Sequence, residues 1–297
     1  MENALSLVRY GKTDLQVTRL ALGGYPFGGV NRARDWDPFK PEGRRTAIST
    51  VHCALDLGIN IIDTAPGYGN GNSESIIGEA LKGRRDKVVL ATKVSYQGSP
   101  MDVISSVEQS LDRLQTSWVD IIQFHGGMYT QDEVQHILED GLYDALVSLR
   151  EQGKVRYVGF TVEEPWTAKP FIASGLFDVM QVRYNLIYQS AALHVLNEAQ
   201  AGDMGISVMR PLTSGILQRL AGYLAPEWQA VHDLYAAALQ CVLADSRVHV
   251  ANVGMRWPSE VEQNVALTAN FRAPFDMADL PRMTAHIYAT DDEAHIP

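Results

Sequence analysis

The chain has 297 residues, a net charge of -10 and 46% hydrophobic residues. A chain of this length buries a large core without disulfide staples. Its acidic balance and scattered Lys and Arg argue against a nucleic-acid binder, which needs clustered cations to neutralise phosphate.

Residues 1–11 hold no apolar signal run, and no apolar stretch approaches the roughly 20 residues that a membrane helix needs, so a cytoplasmic protein with no membrane partner is expected. Cys53 and Cys241 lie among apolar residues at helical spacing and read as reduced core thiols. Neither CxxC nor a Cys/His ligand spacing is present, so no metal is expected.

Taken in chain order, residues 5–19 read as a β-hairpin turning at Gly11-Lys12-Thr13-Asp14. A buried strand over Leu20–Gly23 follows, then a long loop, 24–43, that carries Phe27, Trp36 and Phe39. Ala47, Ile48, Val51, Ala54 and Leu55 repeat at helical spacing until Gly58 stops the helix. The apolar run 59–62 leads into Asp63 and a tight loop before a helix from Ser73. Strand 88–91 precedes a helix marked by Val103, Val107, Leu111 and Leu114. Strand 119–124 runs to His125 and a second long loop, 126–132.

Val134, Ile137 and Leu138, then Leu142, Leu146 and Leu149, carry helical patterns that end at Gly153. Strands at 155–160, 179–182, 206–209 and 248–253 alternate with helical stretches starting near Pro165, Ala191, Glu227 and Pro258. The polar, acidic tail after Pro274 reads as loosely held. Eight βα units in one chain of this size, without a linker, predict an α/β fold: a single-domain (β/α)8 TIM barrel over 1–297, its bottom capped by the N-terminal β-hairpin.

In such a barrel the chemistry sits at the C-terminal ends of the strands. The polar residues there are Asp63, Lys93, His125, Thr161, Gln181, Arg210 and Arg256. Tyr68 lies five positions beyond Asp63 on the loop before the helix. These residue types suit carbonyl chemistry. A free phenol has a pKa near 10 and gives up its proton poorly at neutral pH. A neighbouring ammonium stabilises the phenolate, and a carboxylate beside the ammonium keeps it charged and in place. A histidine within reach orients a carbonyl oxygen. The four together would polarise a C=O and protonate it as hydride arrives. The loop Gly67-Tyr68-Gly69-Asn70-Gly71-Asn72 superficially suggests a dinucleotide fingerprint, but Asn72 takes the last glycine position, so a Rossmann site is not supported.

These motifs carry a family resemblance. The chain resembles an aldo-keto reductase of the bacterial, single-domain type along nearly its whole length, from Tyr10-Gly11-Lys12-Thr13 through Leu22-Gly23-Gly24 to Asn264. The most specific stretch is Asp-Thr-Ala-Pro-x-Tyr-Gly at Asp63 to Gly69. Gly153-Lys154-Val155-Arg156-Tyr157-Val158-Gly159, Gln181-Val182-Arg183-Tyr184-Asn185 and Gly254-Met255-Arg256 complete it. The resemblance implies Tyr68 as general acid/base, Lys93 as its tuner, Asp63 as support for Lys93 and His125 as substrate orienter. It implies reversible reduction of aldehydes or ketones, or oxidation of sugar and alcohol hydroxyls, with NADP(H).

By the same resemblance the dinucleotide lies extended across the barrel mouth, on Gly24, Tyr25, Asp63, Thr161, Gln181, Met209, Arg210, Leu212, Ser214, Gly254, Arg256, Glu260 and Asn264. Gln181 matches the carboxamide contact and Thr161 its helper, while Val162 stands where many members have Asn. Met209 replaces the usual stacking aromatic, and Arg210 opens the pyrophosphate loop where Ser is usual. Arg256, beside a helix start near Pro258, suits a 2'-phosphate. Glu260 stands where Gln is common and Gln263 where Glu is common, which sets a negative charge near that phosphate, while Asn264 fits the adenine contact.

Two other readings compete. One is a regulatory or sensor subunit of the same family that binds NADP(H) with little turnover. The other is a metal-dependent barrel hydrolase or isomerase, which needs strand-end His and carboxylate clusters; only His125 of the eight histidines is so placed. Phe27, Trp36, Tyr96 and Tyr129 either line a pocket for an aromatic or sugar ring or pack the loops, and the sequence leaves both open. It also leaves open the substrate and the oligomeric state.

Overall fold

Each apolar run pairs in parallel with its neighbour in the chain until the last closes on the first. The computed structural model describes residues 5–29, 35–229, 233–269 and 271–279. A short antiparallel pair, β1 (Leu7–Arg9) and β2 (Gln16–Thr18), precedes the barrel. The barrel strands are β3 (Leu20–Gly23), β4 (Ile61–Asp63), β5 (Val89–Val94), β6 (Val119–His125), β7 (Val155–Val162), β8 (Val179–Arg183), β9 (Gly205–Met209) and β10 (Val250–Gly254). Pairing β10 to β3 closes a parallel barrel of these eight. The expected (β/α)8 fold with an N-terminal hairpin is therefore what the sequence builds. Most of the acidic tail, 280–297, and part of the first long loop, 30–34, lie outside the described residues.

The helices sit where the periodicity puts them. α1 (Pro41–Asp56) and α2 (Asn72–Ala80) flank β4, and α3 (Pro100–Leu114) follows β5. The Ser99 and Asp102 side chains cap the start of α3 reciprocally. Between β6 and β7 lie α4 (Gln131–Glu139), with the same device at Thr130 and Glu133, and α5 (Leu142–Glu151). α6 (Lys169–Ser174) follows β7 after a 3-10 turn, and the stretch near Ala191 is two short helices, α7 (Ser190–His194) and α8 (Leu196–Ala201), broken at Val195.

After β9 come α9 (Ile216–Leu224), α10 (Pro226–Gln229) and α11 (Leu234–Leu243), and α12 (Pro258–Ala269) closes the ring. The sequence reading passes over α9. Its apolar residues Ile216, Leu220 and Leu224 are spaced for a helix but remain exposed, so no core stripe marks it. The two cysteines are free and half-buried rather than core residues.

Alternation along the strands sorts the side chains into two sets. Leu22, Ile62, Leu90, Ile122, Val158 and Val208 pack outward under the helices. Ala21, Ile61, Ala91, Ile121, Val179 and Val250 point inward and form an apolar floor. Tyr10, Leu15 and Val17 of the hairpin complete that floor from below. The hairpin is pinned by the Arg9–Asp203 and Arg156–Asp14 ion pairs. Its tip needs Gly11, at φ 58, because a Cβ there would collide with the Gly205 backbone nitrogen. Tyr10→Ala is accordingly expected to cost about 3–5 kcal/mol, the usual cost of deleting a buried aromatic ring. A loss of unfolding free energy in urea titration of only about 1 kcal/mol or less would show that the hairpin merely leans on the barrel.

Two residues further along, the inward positions of five strands are polar. Asp63, Lys93, Gln123, Gln181 and Ser207 are all buried. The barrel thus carries a polar layer over an apolar floor, and the polar layer opens toward the C-terminal ends of the strands.

Candidate active site

Strand register decides which side chains meet. Asp63 ends β4 beside Ala91, and Lys93 lies two residues beyond Ala91 on β5, so both point into the lumen from adjacent strands. Lys93 is 1% exposed, too deep to remain charged without partners. Its Nζ donates to Asp63 Oδ2 at 2.6 Å and to the Thr64 carbonyl at 2.8 Å. The Tyr68 hydroxyl lies 3.2 Å away from the same nitrogen. Burial pulls the ammonium toward deprotonation, but Asp63 and the Tyr68 hydroxyl outweigh it and hold Lys93 above its ordinary value.

Tyr68 arrives on a loop shaped for it. Gly28 and Gly69 pack backbone to backbone, and a Cβ on either would fall within 3 Å of the other segment's main chain. Asn72 Nδ2 donates to the Phe27 carbonyl at 2.8 Å, tying that loop to the one after β3. The Tyr68 ring meets Tyr25 and His125 edge to face, at 5.1 and 5.8 Å between ring centres. Burial raises the phenol's pKa, and the Lys93 charge offsets only part of that, so Tyr68 is held above its ordinary value. The lowering expected from a neighbouring ammonium is therefore present but outweighed. His125 ends β6 at the mouth of the barrel, where the residue remains partly open to solvent. Desolvation against the barrel and the Lys93 charge push its imidazole down to about 4, which leaves it neutral near pH 7.

Several supports of this set go beyond the sequence reading, which names Gln181 only as a dinucleotide contact and misses the others. Gln181 Nε2 donates to Asp63 Oδ1 at 3.0 Å, and Gln123 Nε2 lies 3.4 Å from the same oxygen. Gln123 was findable, because it stands two positions before His125 and must share its inward face. Behind Lys93, Thr92 Oγ1 donates to buried Glu74 at 2.6 Å, and Glu74 pairs with Arg113 at 2.6 Å. Ser73 Oγ lies 2.8 Å from both Thr64 Oγ1 and the Gly24 carbonyl oxygen.

Of the residues expected to hold a dinucleotide, Gly24 and Tyr25 adjoin the set, Gly24 N donating to the Asp63 carbonyl at 2.7 Å. The Thr161 hydroxyl is turned to Gly126, accepting from its N–H at 3.1 Å and donating to its carbonyl at 3.0 Å; it fastens the loop after β6 to β7. Met209 ends β9 beside Arg183. The following turn holds Arg210, Thr213 and Ser214 at φ 57, 57 and 52, a run of left-handed residues that an ordinary turn does not need. Arg210 is not free in that turn, since its guanidinium donates to Glu163 at 2.6 Å. Leu212 packs against the core, and Gly254 lies beside Gly23 at the end of β10. Arg256 and Glu260 pair at the start of α12, and Asn264 Nδ2 donates to the Glu260 carbonyl at 2.7 Å.

The aromatic residues left open by the sequence divide. Phe27, Trp36 and Tyr129 are buried packing residues. Trp36 stacks edge to face on Trp257, and the Tyr129 hydroxyl donates to the Thr161 carbonyl at 3.0 Å. Tyr96 leans on Tyr129. Exposed apolar residues on the loops after the strands are instead Tyr25, Met128, Trp166, Leu186 and Ile187. Among the described residues no three His, Cys, Asp or Glu side chains converge as a metal site would need, and no helix is long and apolar enough to cross a membrane.

The chain is similar to known proteins in sequence and in fold. The sequence profile of the aldo/keto reductase family matches residues 19–287. The aldo-keto reductase YhdN of Bacillus subtilis is 33% identical over 221 residues, 69% of this chain and 61% of that protein. L-galactose dehydrogenase of Arabidopsis thaliana is 29% identical over 293 residues, covering 88% of each. The holo form of aldo-keto reductase AKR11C1 from Bacillus halodurans superposes with a TM-score of 0.75 at 25% identity, over 95% of this chain and 96% of that one.

Proposed function

The chain belongs to the aldo/keto reductase family, and from that premise we propose that it interconverts a small carbonyl compound and its alcohol by hydride transfer with a nicotinamide dinucleotide. The observation that carries the reading is the position of Lys93 Nζ, 2.6 Å from Asp63 Oδ2 and 3.2 Å from Tyr68 Oη. A reduced dinucleotide, when bound, would supply the hydride. The carbonyl oxygen, gaining the π pair of C=O as its carbon is reduced, takes the Tyr68 proton. The phenolate left behind is stabilised by Lys93, whose charge Asp63 maintains. His125, neutral at working pH, offers an N–H that steers the carbonyl oxygen toward Tyr68. In the reverse direction the same phenolate accepts the proton of an alcohol or sugar hydroxyl.

The residues proposed to hold the dinucleotide are Gly24, Tyr25, Asp63, Thr161, Gln181, Met209, Arg210, Leu212, Ser214, Gly254, Arg256, Glu260 and Asn264. At the nicotinamide end, the place of the Gln181 amide in the buried polar layer beside Asp63 supports the reading, while the Thr161 hydroxyl would have to leave Gly126 to help it. Arg256 would by itself favour the phosphorylated form, NADP(H), through the planar fork that guanidinium offers a phosphate, but it is paired with Glu260. The unpaired Cys53 and Cys241 suit a reducing compartment such as the cytoplasm. We take the chain as a single catalytic domain.

Fluorescence titration with NADPH and NADH, followed by a panel of aldehydes, ketones and aldoses in an absorbance assay, tests this reading. Binding with carbonyl-dependent oxidation of the cofactor is the expected result. Tight binding without turnover on any member of the panel would replace the enzyme with the regulatory subunit, and no binding at all would remove both.

A further inference from the structure

The start of α12 is already occupied by a charge of the chain's own. Glu260 is the third residue of that helix, after Pro258 and Ser259. One of its carboxylate oxygens accepts the Arg256 backbone N–H at 2.5 Å, and the other lies 3.4 Å from Arg256 Nη1. Both side chains are mostly covered, at 24% and 28% exposure, so solvent screens the pair only in part. The Arg256 carbonyl is fixed as well, accepting from Thr50 Oγ1 at 2.8 Å. A backbone N–H at a helix N-terminus and an adjacent guanidinium are what an anion seeks. Here the anion is Glu260.

We propose that Glu260 sets the choice of dinucleotide, standing in for a phosphate on Arg256 so that the chain accepts NAD(H) about as well as NADP(H). This rests on the dinucleotide site proposed above and deepens it. A 2'-phosphate reaching Arg256 must either displace the carboxylate or lie beside it. The first gives up an ion pair and a backbone hydrogen bond, and the second sets like charges together. A ribose 2'-hydroxyl asks for neither. It would donate to the carboxylate, as a ribose does to the acidic residue of other NAD sites. The Arg256–Glu260 pair therefore opposes the phosphorylated cofactor at the residue proposed to select it.

Glu260→Gln keeps the size and an acceptor for the Arg256 N–H while removing the charge. Dissociation constants for NADH and NADPH, read from protein fluorescence without substrate, are the measurement, with the thermal midpoint as a check on the fold. Wild type is expected to bind the two within about tenfold of each other, and the variant to gain about tenfold for NADPH and none for NADH. Adding Arg256→Ala to that variant should abolish the gain. A wild type that prefers NADPH by more than about a hundredfold, or a variant whose NADPH-to-NADH ratio does not move, would overturn the inference and leave the proposed function standing. Failure of wild type to bind either dinucleotide would overturn the proposed function and the inference with it.

Discussion

Tyr68→Phe is expected to lower carbonyl reduction by about 10²–10⁴-fold while leaving dinucleotide binding within error, because it deletes the proton donor and little else. The ring contacts with Tyr25 and His125 need no hydroxyl. Lys93 keeps Asp63 and the Thr64 carbonyl. The site should therefore keep its shape and lose its acid. Turnover number at saturating carbonyl, set against the dissociation constant for the reduced dinucleotide, separates the two effects, and substantial residual turnover would defeat the acid/base role.

The same reasoning fixes a pH dependence. Tyr68 is held above its ordinary value, chiefly by burial. Reduction uses the protonated phenol, so its rate should stay level through neutrality and fall only in strongly alkaline solution. Oxidation uses the phenolate and should rise with pH over the same range. His125, pushed down to about 4, stays neutral above about pH 5 and should add no break near its usual 6.5. A break near that value would mean that His125 carries a proton in the working enzyme.

Lys93→Met should be nearly as damaging to turnover and far worse for stability. Removing one partner of a buried pair leaves the other charge without compensation, at a cost of about 3–5 kcal/mol. Asp63 would keep only the amides of Gln181 and Gln123. The double variant Asp63→Asn/Lys93→Met should recover much of the lost stability, since no buried charge remains, and none of the activity. Loss of the Lys93 charge also removes the one influence that lowers Tyr68, so any residual oxidation should need still more alkaline solution. Denaturation midpoints and pH–rate profiles of the two variants check both halves. A single variant as stable as wild type would show that Asp63 is not dependent on Lys93.

What was legible from the sequence followed from period and position. Strands buried on both faces appear as uninterrupted apolar runs, and each ends at a polar residue only where the lumen opens, so Asp63, Lys93 and His125 could be read as convergent before any contact was known. The hairpin was readable from its turn, and Gly11 explains why that turn holds glycine. Contacts between distant segments were not readable. Whether Trp36 lines a pocket or packs depends on Trp257 at the other end of the chain. Whether Thr161 faces a ligand or a neighbouring backbone depends on where Gly126 comes to rest. The balance that leaves Tyr68 raised rather than lowered is a contest between burial and a nearby charge, and sequence supplies only the charge.

The floor of the barrel has a consequence for supply. Tyr10, Leu15 and Val17 close the lower end with apolar side chains. On the proposed function, that apolar floor leaves the mouth as the polar side of the site. The proton spent in each reduction would then return by the doorway that admits the carbonyl and releases the alcohol, and reactant, product and proton would use it in turn.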